Sequence, residues 1–158
     1  MKNSNIIGLN EVASQAIVEK LQVLLANYSV FYQNTRGAHW NIKGDQFFTL
    51  HPKFEELYNN LVLKIDEIAE RILTLGGTPN HNYSNYLKLS TITESTEVTD
   101  GTLCVENILN SFKIVIELQR ELLDITDEAG DAGTNSQMND YITEQEKEAW
   151  MYGAYLGK

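Results

Sequence analysis

Cysteine is nearly absent. The 158 residues contain only Cys104, and one thiol cannot build an internal disulfide framework. It sits among Leu103, Val105 and Ile108 and reads as a small buried residue in a reducing compartment. Proline is almost as rare: Pro52 and Pro79 are the only two, which leaves room for long uninterrupted helices. No stretch nears the roughly 20 apolar residues of a membrane span. The opening MKNSNIIGLN lacks the apolar run of a secretory signal. The expected location is therefore the cytoplasm, and the glycosylation-type triplets Asn27-Tyr28-Ser29 and Asn82-Tyr83-Ser84 read as chance. Positive charge is scarce too: 12 Lys and Arg stand against 22 Asp and Glu, for a net charge of −10. Such a surface does not attract nucleic acid as a whole, because phosphate contacts need Lys and Arg. It should attract cations.

Histidine is limited to three residues, and none follows a glutamate by three positions. That disfavours a di-iron centre inside a helical bundle, which is usually built from core-facing Glu-x-x-His pairs.

What is present is helical periodicity. A chain of this length fits one domain, taken as 1–158 with residues 1–8 as a short N-terminal extension, and buries roughly 70% of its unfolded surface. Ile17, Leu21, Leu24, Tyr28 and Phe31 recur at a 4-3-4-3 spacing and predict a first helix over about 10–40, capped by Asn10 with Glu11 in its first turn. Asn41 to Asp45 read as a turn. A second helix is expected from near Thr49 as N-cap, with Pro52 in its first turn and Phe54, Leu57, Leu61, Ile65, Ile68 and Ile72 as its stripe. Gly76-Gly77-Thr78-Pro79 stops it. Residues 80–99 form a long connection, in which Tyr83, Tyr86, Leu87 and Leu89 suggest a short helix. A third long helix over about 101–129, capped by Asp100, carries Ile108, Phe112, Val115, Leu122 and Ile125. Gly130-Asp131-Ala132-Gly133 breaks it. The last helix is expected over about 135–156, with Met138, Tyr141, Ile142, Ala149 and Tyr152 available for the core. No strand alternation and no internal repeat are visible. The fold class is all-α. Four long helices with one long crossover match a ferritin-like bundle, although patterning alone admits other four-helix bundles.

Two imidazoles, His39 and His51, flank the first turn, and two carboxylates, Asp66 and Glu70, lie one helical turn apart on the second helix. Imidazole and carboxylate together suit iron, manganese or zinc. On a continuous helix His51 and Asp66 would be about 22 Å apart, while metal–ligand bonds are about 2 Å long. If the four share a metal, the histidines belong to one subunit and the carboxylates to another. The plain reading also stands on spacing alone: histidines packed beside Trp40, and Asp66, Glu67, Glu70 and Arg71 as a solvated helix face with ion pairs.

The words themselves then narrow the choice. His39-Trp40-Asn41-Ile42-Lys43-Gly44, Phe47-Phe48-Thr49-Leu50-His51, Phe54, Leu57-Tyr58, Asp66-Glu67-Ile68-Ala69-Glu70-Arg71 and Gly76-Gly77-Thr78-Pro79 resemble the Dps mini-ferritin family. Glu146-Lys147-Glu148-Ala149-Trp150-Met151 is similar to that family's last helix. The resemblance spans nearly the whole chain. It implies a ferritin-like subunit, twelve of which form a hollow shell. In that shell ferrous iron is oxidised, preferentially by hydrogen peroxide, and stored as ferric mineral. It implies an oxidation centre between two-fold-related subunits, with His39, His51, Asp66 and Glu70 as iron ligands at which zinc or manganese can compete, and with Trp40 beside them as a shield against escaping radicals.

The resemblance also implies acidic channels on three-fold axes, near the junction of the last two helices. From Glu121 to Glu146 the chain has eight acids and no Lys, Arg or His, a solvated acidic face on the plain reading. Asp124, Asp127 and Asp131 recur on one side of a helix end and are the expected pore residues. The family name refers to DNA protection, which usually depends on a basic mobile tail. Here only Lys2 precedes Lys20, and only Lys158 follows Lys147, so strong DNA binding is not expected. Two other readings are a non-catalytic shell or binding protein and a shell that sequesters zinc or manganese.

Overall fold

The computed structural model describes residues 3–158; Lys2, the one tail lysine before Lys20, lies outside them. Five helices follow in order: α1 Glu11–Asn41, α2 Phe47–Thr74, α3 Tyr83–Leu89, α4 Gly101–Ala129 and α5 Ala132–Tyr155. The described residues contain no strand, only an isolated bridge between Ser4 and Asn10. The loop before α1 is organised by Asn5, whose side chain accepts hydrogen bonds from the backbone of Ile7 and Leu9 and donates to Ser14.

Two caps read from the sequence are in place. Asn10 accepts from the Ala13 amide and Asp100 from the Leu103 amide, each satisfying a donor that the helix start leaves unpaired. Two helix starts differ from expectation. α2 begins at Phe47, with Gln46 as a cap that makes no side-chain hydrogen bond, so Thr49 and Pro52 lie inside the helix. The reason is the turn before it: Gly44, at φ +102°, reverses the chain early enough for Leu50 to bond back to Gln46. α5 begins at Ala132, capped by Asp131, so the break after α4 is a tight corner. Gly130 makes that corner possible: it ends α4 at φ +70°, a left-handed conformation that costs glycine nothing.

α1 and α2 form one antiparallel hairpin and α4 and α5 a second, and α1 lies against α4. The inward stripes meet in a single core that includes Leu21, Leu24 and Phe31 of α1, Phe54, Leu61 and Ile68 of α2, Phe112 and Leu122 of α4, and Met138 of α5, all fully buried. Each large apolar side chain so buried contributes roughly 1.5–3 kcal/mol. Phe31 meets Phe112 edge to face at 5.2 Å. The crossover from α2 to α4 is tied along α1. The Asn27 side-chain oxygen Oδ1 accepts from the amides of Thr91 and Ile92, and Asn34 Oδ1 accepts from the amide of Ser95. α3 packs on α1 but buries no residue fully, and Tyr83 and Leu87 face outward.

Candidate metal centre

The last turn of α1 and the first turns of α2 lie side by side because only residues 42–46 connect them. That puts His39 against His51. Their rings stack at 3.8 Å between centroids, 15° from parallel. Each ring is also tied to the other residue's backbone: His39 Nδ1 lies 2.6 Å from the His51 carbonyl oxygen, and His51 Nδ1 lies 2.7 Å from the His39 carbonyl oxygen. A carbonyl oxygen only accepts, so both Nδ1 atoms donate. In the neutral ring this tautomer leaves Nε2 as the lone pair, the form in which imidazole binds a metal. Phe47 stacks on His51 at 4.8 Å, and Tyr58 sets its edge against His39 at 5.3 Å. His39 is buried and His51 partly so.

Asp66 and Glu70 are exposed on α2. Their neighbours turn inward. Glu67 accepts a hydrogen bond from the Tyr141 hydroxyl, and Arg71 pairs with Asp131 at 2.6 Å. The i,i+4 ion pair that an ordinary solvated face would form between Glu67 and Arg71 is therefore replaced by two inward contacts, and Asp66 and Glu70 remain as a separate outward pair.

The structure thus brings His39 and His51 together and keeps Asp66 next to Glu70, but it does not bring the two pairs together. Among the described residues, no group of three or more His, Cys, Asp or Glu could hold a metal within one chain. Trp40, beside His39, is 57% exposed, and the Arg36 guanidinium lies 4.7 Å from its ring.

The interior of the bundle is occupied differently. The Tyr28 hydroxyl donates to Gln119, Gln119 donates to Gln145, and Gln145 donates back to the Tyr28 hydroxyl, which closes a ring across α1, α4 and α5. All three are buried, and burial pushes the Tyr28 hydroxyl far above the ordinary phenol range, so it stays protonated as the ring requires. Beside this ring the Lys64 ammonium, 5% exposed, pairs with Glu144 at 2.7 Å, donates to Asn60, and lies over the Tyr141 ring. These polar groups are thus spent on one another.

The expected pore set needs one correction. Asp131 is 1% exposed, caps α5 through the Thr134 amide and is the buried partner of Arg71. It is committed to the corner and does not face a channel. Of the eight acids between Glu121 and Glu146, four are paired: Glu121 with Lys20, Asp131 with Arg71, Glu144 with Lys64 and Glu146 with Arg120. Asp124, Asp127 and Glu128 are exposed along the end of α4.

Sequence reasoning missed Phe47 and Tyr58 as neighbours of the histidines. The signal was present, since Phe47 and His51 are i and i+4, but starting α2 at Thr49 hid it. The corner role of Asp131 is hidden in the sequence because its partner Arg71 is 60 residues away.

The family model of the ferritin-like domain matches residues 18–158. The chain is 40% identical over 153 residues to a DNA protection during starvation protein of Porphyromonas gingivalis, covering 97% of this chain and 96% of that protein. It is 55% identical over 148 residues to an uncharacterised protein of Haemophilus influenzae, covering 94% and 92%. Among solved structures, the Dps protein of Vibrio cholerae superposes with a TM-score of 0.96 at 51% identity, covering 99% of this chain and 98% of that one. That protein is described as a member of a broad superfamily of ferritin-like diiron-carboxylate proteins. Bundle, crossover and sequence agree over nearly the full length, and the chain belongs to the Dps family of ferritin-like mini-ferritins.

Proposed function

We propose that this chain is the subunit of an iron-storing and iron-detoxifying shell of twelve copies. In this reading ferrous iron is oxidised at sites shared between two subunits, preferentially by hydrogen peroxide, and is kept inside as ferric mineral. The observation that carries the reading is the His39–His51 pair. Both imidazoles are held as metal-ready tautomers on a chain whose own Asp66 and Glu70 are out of reach, about 22 Å and about 28 Å along α2 from His51. A second copy must complete the set.

The surface between the two half-sites supports this. A groove of about 590 Å³ runs along α1, α2 and α3 and is lined by Tyr32, Trp40, Val62, Ile65, Tyr86 and Leu87 among others. Trp40, Val62 and Leu63 are exposed apolar residues, and Val62 and Leu63 precede Asp66 by four and three positions on the same face of α2. An antiparallel second copy on this face covers the groove and brings each chain's histidines to the other's carboxylates, in the self-complementary way of a two-fold interface.

The chemistry follows from the ligands. Carboxylates offset the charge of ferrous iron and can bridge two ions, while the fixed imidazoles set geometry. Two ferrous ions give one electron each. One peroxide takes both, with two protons, and leaves as two waters. Because the electrons are delivered as a pair, no hydroxyl radical is released. Trp40, next to His39, stands where a stray oxidant would meet it first. Iron enters past the unpaired acids at the end of α4, Asp124 and Asp127, which raise the local cation concentration. No helix among the described residues is long and apolar enough to cross a membrane, and the reading places the shell in the cytoplasm.

The test is anaerobic loading with ferrous iron followed by one peroxide per two irons, with ferric absorbance and spin-trapped radical recorded for wild type and for His39→Ala/Asp66→Ala. Rapid oxidation with little radical, lost in the variant, is the expected result. Oxidation no faster than in the variant removes the ferroxidase reading and puts zinc or manganese sequestration in its place.

A further inference from the structure

We propose that Phe47 is a positioning residue for the histidine half of the site: its ring holds His51 in the tautomer and orientation that leave Nε2 free for metal. The proposal rests on the ferroxidase reading only for its functional consequence. The geometry stands without it.

α2 starts at Phe47, four residues before His51, so the two side chains share a helix face. The Phe47 and His51 rings stack at 4.8 Å and 19°, and the His39 and His51 rings at 3.8 Å and 15°. Two rings that close, and both nearly parallel to a third, cannot share one of its faces. His51 is therefore sandwiched between Phe47 and His39.

The sandwich matters because the imidazole χ2 well is broad and roughly two-fold. A ring flip would take Nδ1 away from the His39 carbonyl oxygen and offer that oxygen a carbon. Rotation about χ2 sweeps the ring edge out of plane, into Phe47 on one side or His39 on the other. His39 is steadied in turn by the Tyr58 edge and by its own bond to the His51 carbonyl oxygen. His51 is only partly buried, so without a flat neighbour on its open face one side of the clamp is missing. Leucine would fill much of the same apolar volume and keep the contact of Phe47 with the core, but it presents branches and not a plane. Groups that orient a metal-binding histidine are worth about 10- to 100-fold in metal affinity when removed.

The experiment compares wild type, Phe47→Leu and Phe47→Tyr as assembled shells of confirmed size. Solid-state nitrogen-15 spectra of histidine-labelled, metal-free protein are recorded near pH 8.5, about two units above the ordinary imidazole pKa. The chain has three histidines, and exposed His81 serves as the unconstrained reference. Wild type should show two imidazoles fixed with the proton on Nδ1. In Phe47→Leu one of them should become a tautomer mixture, and ferrous affinity, read anaerobically by calorimetry, should fall about tenfold. Phe47→Tyr should restore both. A leucine variant equal to wild type in tautomer and affinity overturns the proposal, as does a tyrosine variant that falls with the leucine one. If wild-type ferrous binding proves indifferent to His39→Ala, the ferroxidase reading fails, while the metal-free spectra still decide the role of Phe47.

Discussion

Arg71 and Asp131 join the end of α2 to the corner between α4 and α5 by a 2.6 Å ion pair, and the same corner takes a second bond from Arg71 Nε to the Thr134 hydroxyl. Asp131 also accepts from the amide and the hydroxyl of Thr134, so one carboxylate serves as helix cap and counter-ion together. The fit is close: a Cβ on Gly133 would lie 2.9 Å from the guanidinium. Arg71 directly follows Glu70, so this knot also fixes the end of the helix that carries the carboxylate pair.

Asp131→Ala removes cap and partner at once and leaves the guanidinium facing a partly buried, uncompensated site. The expected cost is about 3 kcal/mol, which lowers the apparent Tm by roughly 6–12 °C in a chain of this size. Asp131→Asn keeps a capping oxygen and should lose less. Thermal unfolding followed by circular dichroism separates the two; equal melting of all three proteins would contradict the role given to the knot.

Glu148 offers a pH test. Burial raises its carboxyl above the usual 4.5, Glu144 adds to the effect, and Lys64 and Lys53 work against it, with Glu56 nearby raising it further. The native state thus holds this proton more tightly than the unfolded chain does. Its contribution is fully present below the unfolded value and is lost as pH rises through the raised one. Glu148→Gln should therefore melt higher than wild type at about pH 8, and the gain should vanish near pH 4. A variant that melts lower at both pH values would mean that the charged carboxylate is favoured by its surroundings.

Asp124→Asn/Asp127→Asn should slow ferrous uptake by up to about tenfold at low ionic strength, with the effect shrinking in salt and shell size unchanged. Stopped-flow oxidation at several salt concentrations reads this directly. Asp131 does not belong in that set, and its substitution should act on melting first.

With a net charge of −10 per chain, duplex DNA should not be retained at about 0.15 M salt and neutral pH, since little counter-ion release drives binding. Gel shift with a linear duplex checks this; a salt-resistant complex would place a basic surface that the charge count does not reveal.

Much of this architecture was legible in the sequence. The four long helices follow from apolar stripes such as Ile17 to Phe31, and the Asn10 and Asp100 caps from side-chain chemistry next to those stripes. The pairing of His39 with His51 and their separation from Asp66 were legible because helix spacing constrains them: a helix cannot bend His51 back to Asp66. What stayed hidden depended on contacts across the chain. Thr49 with Pro52 three residues on imitates a helix start, and only the turn at Gly44 shows that the helix is already under way. Asp131 looks like another acid in an acidic run until Arg71 reaches it. The Nδ1 bonds of His39 and His51 need a three-dimensional hairpin before either carbonyl is in reach.

The separation of the His39–His51 pair from Asp66 and Glu70 within one chain has a further consequence for the living cell. A newly made chain carries no complete oxidation site, so under the proposed reading it is chemically silent toward iron and peroxide. On that reading activity begins at the moment two chains meet, and each meeting is a step towards a closed container. Ferric product would then form only where a shell is being assembled, and dilution or misassembly would stop the reaction without any separate inhibitor.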